Sequence, residues 1–376
     1  MSIDKDIQII SVTNRRLLRD FIYLPRILHQ NHLKWVPPIY SDEWKYFNPG
    51  KNPAYAYCDV ELAICLYKNK LAGRIMGVIN QRYNSIKKET TTRFSNFESI
   101  DNPAVSSSLL NHIEKWGREK GMNVIIGPFG MCYHDPIGFL IEGFEHEPSI
   151  STYCNFGYLP GLLELAGYTK KYDLVAYKID IENDVPEFYN RIRDRVMKKS
   201  NIKMLKLSSK KEMKKMVMPL LALFNECYQE IDGYSPLDDH EMRILAKQYI
   251  PVLDPDYVRL VYVNDELAAF MIGMPNISHG IRASGGKLFP FGLIKILKAF
   301  KTATQLDFLL AGIKKKFQGI GVEVLMGYDI IYTAKRNNFK FIDSHLEMES
   351  NYKVRAEMEK LRGQVYKKYR LYQKEI

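Results

Sequence analysis

A stretch of lysine and glycine residues in the last third of the sequence is suited to holding a phosphate group. It reads Lys314-Lys-Lys-Phe-Gln-Gly319-Ile-Gly321 and lies between an apolar run, 308–313, and a predicted helix. Amide N–H groups at a helix N-terminus are unsatisfied donors, and glycine lets the backbone approach an anion closely. We therefore predict a phosphate-binding turn, to which the flanking lysines add positive charge. The stretch matches neither a Walker A turn nor the GxGxxG turn of dinucleotide-binding proteins.

The elements around this turn must position it. A β-hairpin is predicted from two apolar runs, 258–263 and 267–274, that flank the polar turn Asn264-Asp-Glu266. A strand at 308–313 then precedes the turn, and a helix at 320–337 follows it. The remaining elements that we predict are a strand at 345–348, a helix at 353–361 and a strand at 366–372.

The same order of elements occurs earlier in the chain. Residues 67–80 match 263–276, and residues 155–167 match 351–363, both at an offset of 196 residues. Two matches at one offset, with no gap needed between them, indicate two copies of one domain. The elements predicted for the first copy are helices at 14–30, 103–120 and 158–166, and strands at 60–67, 72–79, 93–97, 124–126 and 174–179.

These motifs resemble those of the GNAT acyltransferases, in a tandem pair like that of bacterial tandem GNAT proteins without an assigned substrate. The acyl-CoA turn of that family is Gln/Arg-x-x-Gly-x-Gly/Ala, and here the corresponding residues are Lys316, Gly319 and Gly321. The family's last helix begins at an asparagine, which matches Asn155 and Asn351 here. The resemblance implies an α/β (α+β) chain of two GNAT-like domains, 1–190 and 191–376, each with a mixed, mostly antiparallel central sheet flanked by helices.

The resemblance also implies a site for acetyl-CoA or a longer acyl-CoA in the second copy. Pantetheine would bond the backbone of the strand at 308–313, and the pyrophosphate would lie on the amides of the turn. The residues implied are Leu310, Gly312, Lys316, Phe317, Gln318, Gly319, Ile320, Gly321 and Asn351. In the first copy the corresponding stretch, 96–101, is acidic and has no glycine, so we expect that copy to have a structural or acceptor-binding role.

The sequence departs from the family at the tyrosine that usually acts as general acid, because Met358 and Leu162 stand at the matching positions. Acyl transfer to an amine needs a base for the ammonium proton and a donor for the leaving thiolate. The candidates are Glu347, Glu349 and Tyr352. Because Glu347 and Glu349 alternate along a predicted strand, we expect them to share a face, where two carboxylates would raise one pKa; the alternative is a pair of solvated residues.

Other groups of reactive residues carry less weight. Cys154 is a nucleophile candidate with His134 or His146, but a buried and inert thiol is the simpler interpretation. Two short His and acid clusters, 133–135 and 145–147, lack the spacing of a metal site, so no metal is predicted. The glycine-rich segment 127–144 is expected either to shape an acceptor pocket or to pack on the core as a lid.

Composition narrows the class of protein. The 376 residues carry a net charge of +11, and the stretch from Arg191 to Lys215 alone carries eleven basic and two acidic residues. Five scattered cysteines, no signal-peptide pattern and no long apolar run favour a cytoplasmic protein without a transmembrane segment. The leading hypothesis is an acyl-CoA-dependent N-acyltransferase acting on a small-molecule or peptide amine. The alternatives are an aminoacyl-tRNA-dependent transferase, for which the basic stretch would bind tRNA, and a non-enzymatic acyl-CoA-binding module. No DNA-binding motif is found, and the oligomeric state is not predicted.

Overall fold

The computed structural model of the chain describes residues 6–376 and alternates helices with strands. Up to residue 180 the elements are β1 (Ile7–Ser11), α1 (Arg15–Leu28), α2 (Tyr40–Tyr46), β2 (Cys58–Tyr67), β3 (Lys70–Asn80), α3 (Gln81–Lys87), β4 (Thr91–Ser99), α4 (Pro103–Glu119), β5 (Val124–Gly127), β6 (Phe139–Glu142), α5 (Tyr158–Leu165) and β7 (Thr169–Asp180). The later elements are α6 (Glu187–Met197), β8 (Ile202–Lys206), α7 (Lys210–Tyr228), α8 (Asp239–Tyr249), β9 (Val258–Val263), β10 (Glu266–Pro275), α9 (Ser278–Ser284), α10 (Gly292–Thr302), β11 (Gln305–Ile313), α11 (Val322–Arg336), β12 (Phe341–Asp343), β13 (Glu347–Met348), α12 (Tyr352–Lys360) and β14 (Gln364–Glu375).

These elements form two compact units that are interleaved along the chain. Unit 1 contains the chain up to Val175, together with Ser278–Ala299 and Lys367–Ile376. Unit 2 contains Ala176–Ile277 and Phe300–Tyr366. Strands β7 and β14 therefore each contribute residues to both units. The domain boundary predicted at 190/191 falls inside helix α6, within unit 2.

The sheet of unit 1 has the order β1-β2-β3-β4-β5-β14, with the first half of β7 beside β14. Its pairs are antiparallel except for β4 with β5. Helix α4 packs on this sheet through Leu109, Leu110 and Ile113, which are fully buried. Burial of such a side chain stabilises a fold by roughly 1.5–3 kcal/mol. Tyr372 of β14 belongs to the same core, so the C-terminal strand is part of the packing of unit 1.

The sheet of unit 2 has the order β8-β9-β10-β11-β12, followed by the second half of β7. The pairs are antiparallel except for β11 with β12. Helix α11 covers one face through Val322, Leu325 and Met326, which pack with side chains of β9 and β10. Each unit thus has a mixed, mostly antiparallel sheet flanked by helices, which confirms the predicted fold class.

Both predicted hairpins are present, as β2–β3 and β9–β10. The constant offset of 196 residues, however, does not hold between the two matched segments. Strand β4 begins at Thr91 and its counterpart β11 at Gln305, an offset of 214. Helices α9 and α10 lengthen the chain after the second hairpin, and a long loop before α5 compensates in the first copy. The expectation that no gap was needed is therefore wrong.

Candidate functional site

The glycine turn of unit 2 leads directly into helix α11. Gly319 has a φ of 78° and Gly321 a φ of 97°, a left-handed conformation in which glycine avoids the steric cost of a Cβ atom. Gly321 is the N-cap of α11 and has no side chain to accept a hydrogen bond from the first turn. Among the described residues, the amides of Gly319, Ile320 and Gly321 donate no hydrogen bond. The turn therefore presents three free donors at the positive end of a helix, where an anion binds.

The two glycines differ in the space around them. A Cβ atom at Gly319 would meet nothing within 4 Å, so this side of the turn is open. A Cβ atom at Gly321 would lie 2.6 Å from Cγ2 of Val196 in helix α6. Gly321 is thus required for packing as well as for conformation, and Gly319 marks the accessible edge of the turn.

The three lysines before the turn form ion pairs with carboxylates, which the sequence did not predict. Hydrogen bonds from Lys316 and Lys314 hold the pKa of Glu266 below its usual value. The lysine charge is thus largely balanced within unit 2, and anion binding must depend mainly on the amides. The pairs are Lys314 with Glu226 (2.8 Å) and Glu266 (2.9 Å), Lys315 with Glu230 (3.2 Å), and Lys316 with Glu266 (2.6 Å).

Strand β11 is paired on both sides only at its start. It runs parallel to β12 from Gln305 to Asp307, and the two strands then diverge. The amide of Ser344, just after β12, donates to the carbonyl of Tyr177, whereas β11 continues along β10. Residues 308–313 consequently have β10 on one side and no strand of the described chain on the other. We call this opening the fork.

The strand that was expected to bond pantetheine, at 308–313, is therefore the one that has an open edge. Leu310 and Gly312 lie opposite Ile272 and Phe270 of β10. A bulge at Leu309 interrupts this register just beyond the point where β11 and β12 part. Bulges increase local twist and bend the strand, so this one helps to separate the two strands.

Two buried aspartates lie at the base of the fork and were missed by the sequence analysis. Asp307 and Asp343 are partners in the parallel register of β11 and β12, and both are fully buried. Buried carboxylates need hydrogen bonds to offset desolvation. Their donors are the side chains of Asn276 (3.0 Å) and Gln305 (2.7 Å) for Asp307, and the hydroxyl of Tyr366 and the amide of His345 (2.6 Å) for Asp343.

The carboxyl of Glu347 is set apart by its environment. It lies in the short strand β13 and is partly buried, and within residues 6–376 its carboxyl forms no hydrogen bond or ion pair with another side chain. Burial raises the pKa of its carboxyl to about 8. Such a group is partly deprotonated near neutral pH and accepts a proton more readily than an ordinary glutamate.

The predicted carboxylate pair is not formed as expected. The strand predicted at 345–348 is instead β12 at Phe341–Asp343 followed by the two-residue β13, and Glu349 lies beyond it in a turn. The backbone carbonyl of Glu349 accepts a hydrogen bond from Arg355. Burial alone accounts for the raised pKa of Glu347, so a shared carboxylate face is not its cause.

The two remaining predicted residues lie at the start of helix α12. Asn351 caps this helix, because its side chain accepts a hydrogen bond from the amide of Val354 (3.4 Å). Tyr352 is 75% exposed. Their roles in binding and in proton transfer, like that of Glu349, stay predictions.

In unit 1, residues of the same unit form hydrogen bonds at the positions equivalent to the glycine turn and the fork. Helix α4 is capped by Asn102, whose side chain accepts from the amides of Ala104 (2.9 Å) and Val105 (3.4 Å). The amide of Phe129 donates to the carbonyl of Phe94 (2.8 Å) beyond the parallel part of β4 and β5.

Beyond Phe94, β4 also has no second strand of the described chain beside it, but the hydroxyl of Tyr153 accepts from the amide of Asn96 (3.3 Å) and that of Tyr158 donates to the carbonyl of Ser99 (2.8 Å). The described part of unit 1 therefore has no glycine turn with free amides, and side chains of the unit bond this part of β4.

The glycine-rich segment 127–144 packs on unit 1. Its strand β6 pairs with β14, and the carbonyl of Met131 accepts a hydrogen bond from the side chain of buried Asn80 (2.9 Å). The side chain of Asn155 bonds both the amide and the carbonyl of Leu140. These contacts favour the packed-lid interpretation of the segment.

Cys154 lacks the properties of a nucleophile, because burial raises the pKa of its thiol to about 12. A protonated thiol is a poor nucleophile. Within residues 6–376, no group of three His, Cys, Asp or Glu side chains is arranged to hold a metal ion. In the same residues, no helix has the length and apolar character needed to cross a membrane.

Comparison with known proteins adds to this geometry. The chain is 27% identical over 382 residues to a protein of Caulobacter vibrioides named bacterial ceramide synthase, an alignment that covers all of this chain and 99% of that protein. It is 25% identical over 370 residues to protein YghO of Escherichia coli, covering 96% and 94% of the two chains. No protein-family model matches the sequence.

Solved structures decide the fold. A tandem GNAT protein from the clavulanic acid biosynthesis pathway superposes with a TM-score of 0.56 at 9% identity, covering 98% of both chains. The chain has the tandem GNAT fold. A GCN5-related N-acetyltransferase from Sphaerobacter thermophilus, with a TM-score of 0.54 at 10% identity, covers 100% of this chain and 97% of its own.

Proposed function

We propose that the chain is an acyl-CoA-dependent N-acyltransferase that binds the acyl donor in unit 2 and acylates the amino group of a lipid. The single observation that carries the proposal is the combination, in one unit, of a glycine turn with free amides and an open fork. The turn follows the strand whose edge is open, which is the order of elements that acyl-CoA binding requires in the family that the sequence resembles.

The residues present fit such a donor. The amides of Gly319, Ile320 and Gly321 would hold the pyrophosphate, and the open edge of residues 308–313 would bond pantetheine. When bound, acyl-CoA supplies an activated acyl group as a thioester, for transfer to a nitrogen with release of the thiol. Asp307 and Asp343 stabilise the base of the fork through their hydrogen bonds and so hold β11 and β12 in their diverging positions.

Glu347 is the proposed general base. An ammonium group must lose a proton before its nitrogen can attack a carbonyl carbon, and a carboxylate with a pKa of about 8 can accept that proton near neutral pH. We assign no side chain to protonation of the thiolate. The attacking nitrogen loses a second proton as the amide forms, and this proton balances release of the leaving group as a thiol. Most of the rate enhancement would then come from holding amine and donor together.

The lipid acceptor is supported by the relative named bacterial ceramide synthase, which aligns over the whole chain. A ceramide contains an amide between a long-chain amine and a fatty acyl group, so its formation is an N-acylation. The similar length of the two chains and the presence of both units in the alignment favour the same chemical class here.

The test is release of free thiol from acyl-CoA on addition of an amine. We expect release with long-chain amino alcohols and the corresponding amide by mass spectrometry, with slower reaction for short polyamines, amino sugars and peptides. A peptide or a small polar amine that is acylated faster would contradict the lipid acceptor. If no amine releases thiol although acyl-CoA binds, the chain is an acyl-CoA-binding module.

A further inference from the structure

Residues 287–298 of unit 1, which we call the docking segment, expose an unusual amount of apolar surface. Five large apolar side chains within nine consecutive positions are exposed, and two of them are phenylalanines. Contiguous exposed apolar patches of this kind on a soluble fold mark interaction sites. The exposed fractions are 78% for Phe289, 68% for Phe291, 45% for Leu293, 63% for Ile294 and 55% for Leu297.

The base of the docking segment is tightly packed, so the exposure of its apolar side chains is not a result of loose packing. A Cβ atom at Gly280 of α9 would lie 2.5 Å from that of Ala299 in α10, so the two helices are in close contact. A Cβ atom at Gly292 would lie 1.6 Å from the carbonyl of Lys287, so the turn before α10 admits only glycine. The amide of Tyr40 donates to the carbonyl of Gly286 (3.0 Å).

Helix α9, which precedes the segment, is also tied to unit 1. The hydroxyl of Ser278 donates to the carbonyl of Pro148 (3.0 Å), and Arg282 forms an ion pair with Glu147. The same guanidinium donates to the backbone carbonyls of Lys34 (3.1 Å) and Trp35 (3.2 Å). A well-anchored base with apolar side chains at its tip is the arrangement expected of a surface that inserts into a partner.

The charged residues of the docking segment are all positive. No acidic residue occurs between Glu266 and Asp307 in the sequence. Lys287, Lys295 and Lys298 are exposed within the docking segment. On helix α10, Leu293, Ile294 and Leu297 form one exposed stripe at helical spacing, with Lys298 beside it. Apolar side chains flanked by lysines on a helix are typical of segments that lie in the headgroup region of a bilayer.

We propose that the docking segment binds the surface of a lipid bilayer that contains anionic lipids. Phe289 and Phe291 enter the headgroup and acyl boundary, and Lys287, Lys295 and Lys298 contact lipid phosphates. A second copy of the chain is the less suitable occupant, because a two-fold contact through this face would bring like charges together. The proposal does not rest on the proposed function, since binding to a bilayer requires neither acyl-CoA nor turnover.

A cleft of about 410 Å³ adjoins the docking segment within unit 1. Lys287 and Phe289 line it on one side, and Tyr40, Ser41 and Lys45 on the other. Positive and apolar walls in one cleft match the phosphate and the adjoining chains of a lipid. The cleft therefore extends the surface offered to a bilayer beyond the exposed helix.

The test is co-sedimentation of the full-length protein with vesicles of phosphatidylcholine alone or mixed with phosphatidylglycerol. We expect binding to the mixed vesicles that weakens with added salt. The double variant Phe289→Ser/Phe291→Ser should bind at least about tenfold more weakly, and Lys287→Gln and Lys298→Gln about fivefold more weakly each. The matched control is Leu33→Ser/Leu165→Ser, which removes two side chains of 86% and 74% exposure elsewhere in unit 1 and should bind as the wild type does.

Three results would overturn the proposal. They are no binding of the wild type to mixed vesicles, equal binding by the phenylalanine variant, and a wild-type dimer that the phenylalanine variant converts to monomers without any vesicle binding. Folding of each variant is checked by its thermal unfolding, which removal of exposed side chains should leave unchanged. Thiol release with a soluble amine is measured in parallel, so failure of membrane binding is distinguished from failure of acyl transfer.

Discussion

Helix α4 of unit 1 and helix α11 of unit 2 follow equivalent strands, yet their first turns are satisfied in opposite ways. In unit 1 the side chain of Asn102 accepts hydrogen bonds from two amides of the turn. In unit 2 the N-cap is Gly321, and the amides before the helix remain free. The same fold thus has either a first turn capped by a side chain or a first turn with free amides, depending on the residue at the N-cap.

The strands that precede these helices, β4 and β11, also differ in whether other residues of the unit bond their free edge. Beyond Arg93 of β4, the amide of Phe129 donates to the carbonyl of Phe94, and two tyrosine side chains bond the strand further along. Arg93 is buried there and packs against the ring of Phe129. Beyond Asp307 of β11, the neighbouring strand turns away and the edge stays open. This difference is the reason for proposing that the acyl donor binds in unit 2.

The largest effect is expected from Glu347→Gln, which removes the proposed base from the open unit. We expect kcat to fall by about 10²–10⁴, the range of general base catalysis. In the wild type the rate should rise with pH up to about 8, because the carboxylate must be deprotonated to act. The measurement is the pH dependence of thiol release, with Glu349→Gln as the matched control that should keep the rise.

Stability gives a second readout for the same residue. The pKa of Glu347 is raised from 4.5 to about 8 in the folded state, so the folded protein binds more protons than the unfolded one between these values. Wild-type stability should therefore decrease as pH rises through this range, and that part of the decrease should be absent from Glu347→Gln. An identical pH dependence in both proteins would contradict the buried, uncharged carboxyl.

The next effect is expected from placing a charge at the open edge of the glycine turn. Gly319→Asp and Gly319→Asn introduce side chains of similar shape at a left-handed position that both tolerate better than most residues, into free space. Only the aspartate repels a pyrophosphate, so we expect it to weaken acyl-CoA binding by about tenfold or more relative to the asparagine variant, where tenfold corresponds to 1.4 kcal/mol. Calorimetric titration measures this, and equal affinities would show that the phosphate lies elsewhere.

The smallest effect is expected from Asn102→Ala in the closed unit. Loss of an N-cap side chain costs about 1 kcal/mol of stability, because two amides of α4 lose their acceptor. Acyl-CoA affinity should not change. Urea unfolding and calorimetric titration check the two statements, and a marked loss of affinity would make the cap of unit 1 part of the binding site.

Some elements of the fold could be predicted from local signals in the sequence. The hairpins, helix α4 and the glycine turn follow from side-chain periodicity, capping residues and glycine positions within short windows. The order of elements and the repeat gave the tandem fold. The expectation of one constant offset was wrong, however. Matches at the hairpin and at the last helix do not reveal two compensating insertions between them.

Features that depend on distant residues were not predictable in this way. Glu226 and Glu266 neutralise the lysines of the turn from positions dozens of residues away, and no spacing rule connects them. Asp307 and Asp343 become partners only through the parallel pairing of β11 with β12. A single aspartate between Leu306 and Phe308 in an apolar strand was the one available sign, since a charged residue there must find buried partners.

The interleaving of the units affects how the protein can be made. Residues 367–376 supply the strand that lies between β5 and the first half of β7 in the sheet of unit 1, and with it the fully buried ring of Tyr372. While the chain is still on the ribosome, the sheet of unit 1 is incomplete, and an edge of β5 that is later covered is available for wrong pairing. Unit 1 can reach its final state only after residues 367–376 have left the ribosome, later than Tyr366, the last residue of unit 2.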